Sequence, residues 1–131
     1  MPPLVFVAVN QEMKANFAKY GDIVSFDLTF NLIKNQHKSG EKWKVGCFVG
    51  MSNAKRITPF SFAVTLNTKE EDYCEIFSTF FKIMGREPGV IVTDEERSMH
   101  SALMELKGKR QFSGEHLLDA YHILHNVRKK L

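Results

Sequence analysis

The chain has 131 residues, 44% hydrophobic and 25% charged, enough for one globular domain that buries about two thirds of its unfolded surface. A net charge of +3, from 18 basic and 15 acidic residues, permits a nucleic-acid partner without demanding one. Its two cysteines, Cys47 and Cys74, both sit in apolar stretches, which argues against a disulfide framework and fits a reducing compartment. No apolar run reaches membrane-spanning length, and Met1 to Val9 lacks the basic segment and the length of a signal peptide, so no membrane partner is expected.

In chain order, Leu4 to Val9 reads as a short edge strand. Gln11 to Tyr20 reads as a connector, helical in part, with Met13, Phe17 and Tyr20 turned inward. The rest of the chain is organised around Gly21 to Phe30, where Val24, Phe26, Leu28 and Phe30 fall on one face of a strand and Ser25, Asp27 and Thr29 on the other. A carboxylate such as Asp27 inside a central strand is costly to desolvate unless a cation meets it, and a divalent metal ion is the usual partner. Asn35 to Glu41 forms a turn into a second strand, Trp43 to Met51, in which Val45, Cys47, Val49 and Met51 alternate with Gly46 and Phe48. Ser52 to Lys55 turns the chain again. Pro59 sits near the start of a third strand, where a missing donor is tolerated, and Phe60, Phe62, Val64 and Leu66 line one face of it. Three strands joined by short turns make an antiparallel meander.

The hydrophobic period then changes. Thr68 and Glu71 form a capping box, and Tyr73, Ile76, Phe77, Phe80, Phe81 and Met84 recur at helical spacing until Gly85, with Pro88 just beyond. Val90-Ile91-Val92 is a short continuous apolar run, as in a strand covered on both faces, and it delivers Thr93 and Asp94 to its carboxyl end. Thr93 and Glu96 form a second capping box for a helix from Glu95 to Leu106. After the basic loop Lys107 to Arg110, His116 to Asp119 reads as a final strand. From Ala120 onward Tyr121, Leu124, Val127 and Leu131 return to helical spacing.

A meander followed by helix-strand alternation is the ordering of the α/β ribonuclease H-like fold. The expectation is a mixed sheet of about five strands with Asp27 central, flanked by the Thr68 to Met84 and Glu95 to Leu106 helices. Right-handed crossovers place the Val90 to Thr93 strand parallel to the Ile23 to Phe30 strand and beside it. Asp27 and Asp94 then meet as a carboxylate pair able to hold divalent ions for phosphodiester transfer. Plainer readings stand beside this one. Asp27 at a strand edge is satisfied by a neighbouring donor, and Asp94 helps to cap the next helix. Lys109-Arg110 and Arg128-Lys129-Lys130 either touch DNA phosphate or form solvated faces. His116, Asp119, His122 and His125 lack the spacing of a closed zinc site, and no cysteine is close.

Five stretches, in this order, resemble the Mutator-like element (MULE) transposase domain: Gly21-Asp-Ile-Val-Ser-Phe-Asp-Leu-Thr-Phe30, Gly46-Cys-Phe-Val-Gly50, Phe77-Ser-Thr-Phe-Phe-Lys82 with Met84-Gly85, Val92-Thr-Asp-Glu-Glu-Arg-Ser-Met99, and Tyr121-His-Ile-Leu-His-Asn126. The resemblance spans nearly all of residues 1–131. It implies a ribonuclease H-like core, a DDE-type acidic triad, Mg²⁺ or Mn²⁺ as cofactor, DNA as partner, and cut-and-paste transposition in the nucleus, with a homo-oligomeric transposition complex as one arrangement. Asp27 matches the family's first acid and Asp94 its second. Asp119-Ala-Tyr-His122 stands where the family usually carries Cys-x-x-His. Asp119 and His122 are expected beside the site as support, the first orienting a water or basic group and the second contacting a scissile-strand phosphate; a local hydrogen bond between the two is the plainer alternative. With DNA as partner, Lys109, Arg110, Arg128 and Lys129 are the expected phosphate contacts.

The third acid of the family is a downstream Glu, and Ile123 to Leu131 contains no acidic residue. With no stop signal after Asn126, the last helix runs to Leu131. Both features are expected of a single, C-terminally incomplete domain: a catalytic-core piece of a transposase, inactive alone. The alternative is a domesticated, non-enzymatic derivative acting as a nuclear DNA-binding or transcription-regulatory module. A ribonuclease or exonuclease of the same fold would need a second acid on the long helix, and Glu75 there has no supporting motif.

Overall fold

The computed structural model describes residues 3–34 and 42–119. Along the chain these form β1 (Val5–Ala8), α1 (Gln11–Tyr20), β2 (Ile23–Lys34), β3 (Lys42–Met51), β4 (Ile57–Thr65), α2 (Glu70–Met84), β5 (Val90–Thr93), α3 (Arg97–Gly108) and β6 (Glu115–Leu118). The strands make one sheet in the order β1-β4-β3-β2-β5-β6. The meander β2-β3-β4 and the added β1 pair antiparallel, whereas β5 and β6 run parallel to β2. So β5 is the neighbour of β2 and parallel to it, the placement that right-handed crossovers dictate.

The sheet has six strands where five were expected. Backbone pairs from Val5–Thr65 to Ala8–Phe62 lay β1 along the outer edge of β4, whose N–H and C=O groups would otherwise lack ladder partners. A second difference lies in β4. Phe48 pairs with Ser61 and Val49 with Pro59, so one extra β4 residue is accommodated at that point. Phe60 and Ser61 are both buried as a result, and Phe62 faces the other way, 42% exposed. The single line of Phe60, Phe62, Val64 and Leu66 is therefore broken, as a bulge inverts the alternation beyond it.

All three helices contribute to one core on one side of the sheet. Val24, Phe26 and Leu28 of β2, Phe48 of β3 and Ile91 of β5 meet Phe17 of α1, Phe77 and Phe80 of α2, and Leu103 of α3. The opposite face carries exposed Ile23, Asp27 and Phe62. Among the described residues no helix is long and apolar enough to cross a membrane.

The helix starts differ from the sequence expectation for identifiable reasons. The connector before β2 is helical throughout, because the Asn10 side chain accepts from the Met13 N–H at 2.8 Å and caps it. At the start of α2 the Thr68–Glu71 box is replaced by Asp72, whose carboxylate accepts from the Lys69 N–H at 2.9 Å. The helix ends where expected, on Gly85 in the left-handed region at φ 81°. Helix α3 begins after Glu96, not at Glu95. The Thr93–Glu96 box gives way to longer-range partners: Thr93 bonds to His116, and Glu96 to Tyr73. The segment from Asn35 to Glu41 and the helix expected from Ala120 onward lie outside the described residues.

Candidate functional site

The geometry of the site follows from two parallel ladders. Strands β2 and β5 pair as Ile23–Val90, Val24–Ile91 and Ser25–Val92. Strands β5 and β6 pair as Val90–Glu115 through Thr93–Leu118. Beyond the last rung the Asp119 N–H still donates to the Thr93 carbonyl at 2.7 Å. Asp27 lies two residues beyond the last β2–β5 rung, and Asp94 and Asp119 each follow the last residue of their strands, β5 and β6. Adjacent strands lie about 4.8 Å apart, and β2, β5 and β6 are neighbours in that order. Alternation puts Asp27 of β2 on the face turned away from the core, with Ser25, Val92 and Leu117.

Asp27 is exposed, while Asp94 and Asp119 are half-buried. This corrects the reason first given for a metal at Asp27: the strand is central, but the side chain emerges on the open face and is not desolvated. What argues for a cation is the second carboxylate one strand away. Among the described residues, no group of three or more His, Cys, Asp or Glu side chains gathers closely enough to hold a metal ion by themselves.

The turn after β5 is tied down on both sides. Asp94 Oδ1 accepts from the Glu96 N–H at 3.3 Å, and the Thr93 hydroxyl donates to the Asp94 carbonyl at 2.9 Å. The Asp94 side chain thus closes a short turn onto Glu96, the residue that precedes α3. From the core side, the Tyr73 hydroxyl lies 2.9 Å from both carboxylate oxygens of Glu96. Burial raises the pKa of Glu96, the Tyr73 hydrogen bond opposes that, and the Asp94 charge adds to it. Burial, then the Glu96 hydrogen bond and charge, push the Tyr73 phenol far up. Glu96 was read only as a capping residue. The available signal was Tyr73, a ring with a polar tip at an inward position of a Phe-rich helix, which needs a partner when buried.

On the core side of β5, His116 Nε2 lies 2.7 Å from the Thr93 hydroxyl, and His116 Nδ1 lies 3.2 Å from His100 Nδ1. With the Thr93 proton on the Asp94 carbonyl, His116 donates through Nε2 and accepts at Nδ1 from His100. Burial, then His100 and Lys107, lower the pKa of His116, which suits that neutral form.

The basic positions do not join this group. Helix α3 runs from the carboxyl end of β5 back to the amino end of β6, and its 12 residues span about 18 Å. Lys109 and Arg110 are therefore at the opposite end of the sheet from Asp94, and exposed Lys109 pairs with Glu105 at 3.3 Å. His122, Arg128 and Lys129 lie outside the described residues.

Residues 23–126 match the model of the MULE transposase domain. The chain is also similar to the protein FAR-RED IMPAIRED RESPONSE 1 of Arabidopsis thaliana, 25% identical over 113 residues. That alignment takes in 86% of this chain and 12% of the relative's length.

Proposed function

This chain belongs to the MULE transposase domain family, and from that premise we propose that it is catalytic-core sequence of a Mutator-like DNA transposase, with Asp27 and Asp94 as the first two acids of a DDE-type site on a ribonuclease H-like core. The observation that carries the reading is the parallel pairing of β2, which holds Asp27, with β5, which leads into Asp94. The strand order supports the fold assignment, an antiparallel meander whose first strand has the first parallel strand as its neighbour.

The donors fit the cofactor. Mg²⁺ takes oxygen ligands and is commonly held by one or two carboxylates together with substrate phosphates. Asp27 and Asp94 offer two carboxylates on adjacent strands, on a face from which a phosphodiester can approach. When bound there, Mg²⁺ or Mn²⁺ supplies charge stabilisation to the phosphoryl oxygens. The chain's own part is positional: the sheet spaces the two carboxylates, and the Glu96 N–H holds one oxygen of Asp94. Asp119, just after β6, orients a neighbouring water or basic group. His122 and the Arg128-Lys129 pair contact the DNA backbone. Lys109 and Arg110, at the far end of α3, take no part. DNA as substrate and the nucleus as compartment complete the proposal.

Titration with Mn²⁺ tests it. Asp27→Asn and Asp94→Asn should each weaken binding about tenfold or more relative to the parent. Equal affinity in all three proteins would remove the site.

The second reading is a non-enzymatic derivative in which the fold persists as a nuclear DNA-binding or regulatory module. It is favoured by the similarity to a protein named for a light response and not for transposition. DNA binding that survives in the Asp27→Asn, Asp94→Asn double variant, with no metal affinity in the parent, would decide for it.

A further inference from the structure

Tyr73 is fully buried in α2, where the other inward rings of the helix, Phe77, Phe80 and Phe81, have no polar atom. A phenylalanine at position 73 would fill the same volume, so the hydroxyl is there for its partner. That partner is Glu96, both of whose carboxylate oxygens lie 2.9 Å from it. Glu96 is also the residue from which α3 starts, and its backbone N–H donates to Asp94 Oδ1. Hydrogen bonds thus run without a gap from the core of α2, through the turn between β5 and α3, to the carboxylate of Asp94.

We propose that Tyr73 is a positioning residue for Asp94, its hydroxyl holding Glu96 inward so that the Glu96 N–H fixes the Asp94 carboxylate for metal. The metal part of this inference rests on the function proposed above; the tether itself does not. Without the hydroxyl, the half-buried Glu96 carboxylate loses its Tyr73 donor on the core side and gains by turning to water. The turn then loosens, and the Glu96 N–H leaves Asp94. The direct ligands would be untouched, yet metal affinity would fall, as happens when a group that orients a ligand is removed.

The test uses the whole 131-residue chain with Tyr73→Phe, Glu96→Ala and the double variant, each checked by thermal unfolding. In the metal-free proteins, exchange of the Glu96 amide hydrogen is followed by NMR; it should quicken about tenfold in Tyr73→Phe, reporting opening of that one hydrogen bond. Mn²⁺ affinity should fall about tenfold in each single variant. It should fall no further in the double, since two members of one tether are not additive. Parent-like amide exchange in Tyr73→Phe, or single-variant losses that add in full, would overturn the inference. Parent-like Mn²⁺ binding by Asp94→Asn would instead sink the proposed function, and the amide measurement, made without metal, would still decide the tether.

Discussion

Phe48 of β3 lies flat on Phe80 of α2, with ring centroids 3.9 Å apart and planes 2° from parallel. Both rings are fully buried, and Phe26 and Phe77 close around them at tilted and edge-on angles. This stack joins the helix to the strand beside Asp27. Phe80→Ala should destabilise the fold by about 3–5 kcal/mol, the range for truncating a buried ring, while Phe80→Leu should cost clearly less. Urea unfolding followed by circular dichroism measures both. A loss below about 1 kcal/mol in Phe80→Ala would mean that the stack contributes little.

Gly46 is held to glycine by the same rings. A Cβ there would come 2.7 Å from Phe26 Cζ and 2.9 Å from Leu28 Cδ1, the two residues that flank Asp27. Phe26 is itself packed against Phe48 and Phe77, so it cannot swing aside at little cost. Gly46→Val should therefore destabilise by roughly 1–3 kcal/mol through overpacking, in spite of valine's preference for strands. A variant as stable as the parent would show that this part of the sheet can shift to make room.

Some of this was legible in the sequence, for physical reasons that divide cleanly. Alternation in Val24, Phe26 and Leu28 and the helical recurrence from Tyr73 to Met84 are local, and both elements lie where those patterns put them. The adjacency of β2 and β5 follows from crossover handedness, and it brings the strand of Asp27 beside the one that leads into Asp94. What the sequence hid depends on partners far along the chain. The place of β1 on the edge of β4 is a ladder between residues some 60 positions apart. The outward turn of Phe62 comes from one extra residue opposite β3. Thr93 and Glu96 have the spacing of a capping box, but His116 and Tyr73, each 23 positions away, compete for their side chains and win. The remoteness of Lys109 and Arg110 from the acids becomes visible once α3 is laid back along the sheet.

The His116 contacts carry a pH dependence. Among the described residues the Thr93 hydroxyl from β5 and His100 from α3 touch its ring, and the charge of Lys107 from α3 acts on it. Its folded-state pKa is lowered from 6.5, first by burial and then by His100 and Lys107. Protons therefore bind the unfolded chain more readily than the folded one. The contribution of His116 is fully present above pH 6.5 and is lost as the pH falls through the lower, folded-state value. The melting temperature of the parent should accordingly drop more steeply between pH 7.5 and pH 5.5, a window chosen to span roughly one unit on either side of an ordinary histidine pKa, than that of His116→Gln. Parallel curves for the two proteins would remove His116 as the cause.

The last prediction concerns strand cleavage. Asp27 and Asp94 give the chain two carboxylates on adjacent strands, and Ile123 to Leu131 has no acidic residue to act as the Glu that completes a DDE triad. Two-metal phosphodiester chemistry stabilises both the entering and the leaving oxygen. With the ligand set for one ion short, a deficit of about 4 kcal/mol would slow the reaction about a thousandfold. The 131-residue chain should therefore bind Mn²⁺ through Asp27 and Asp94 yet leave an inverted-repeat DNA uncut. A further carboxylate, Asp119, follows β6, the strand next to β5. That makes Asp119→Asn the informative partner to Asp27→Asn in a cleavage assay. Metal-dependent cutting by the parent that disappears in Asp27→Asn would overturn the prediction. If it disappeared in Asp119→Asn as well, Asp119 would be the third acid of the site.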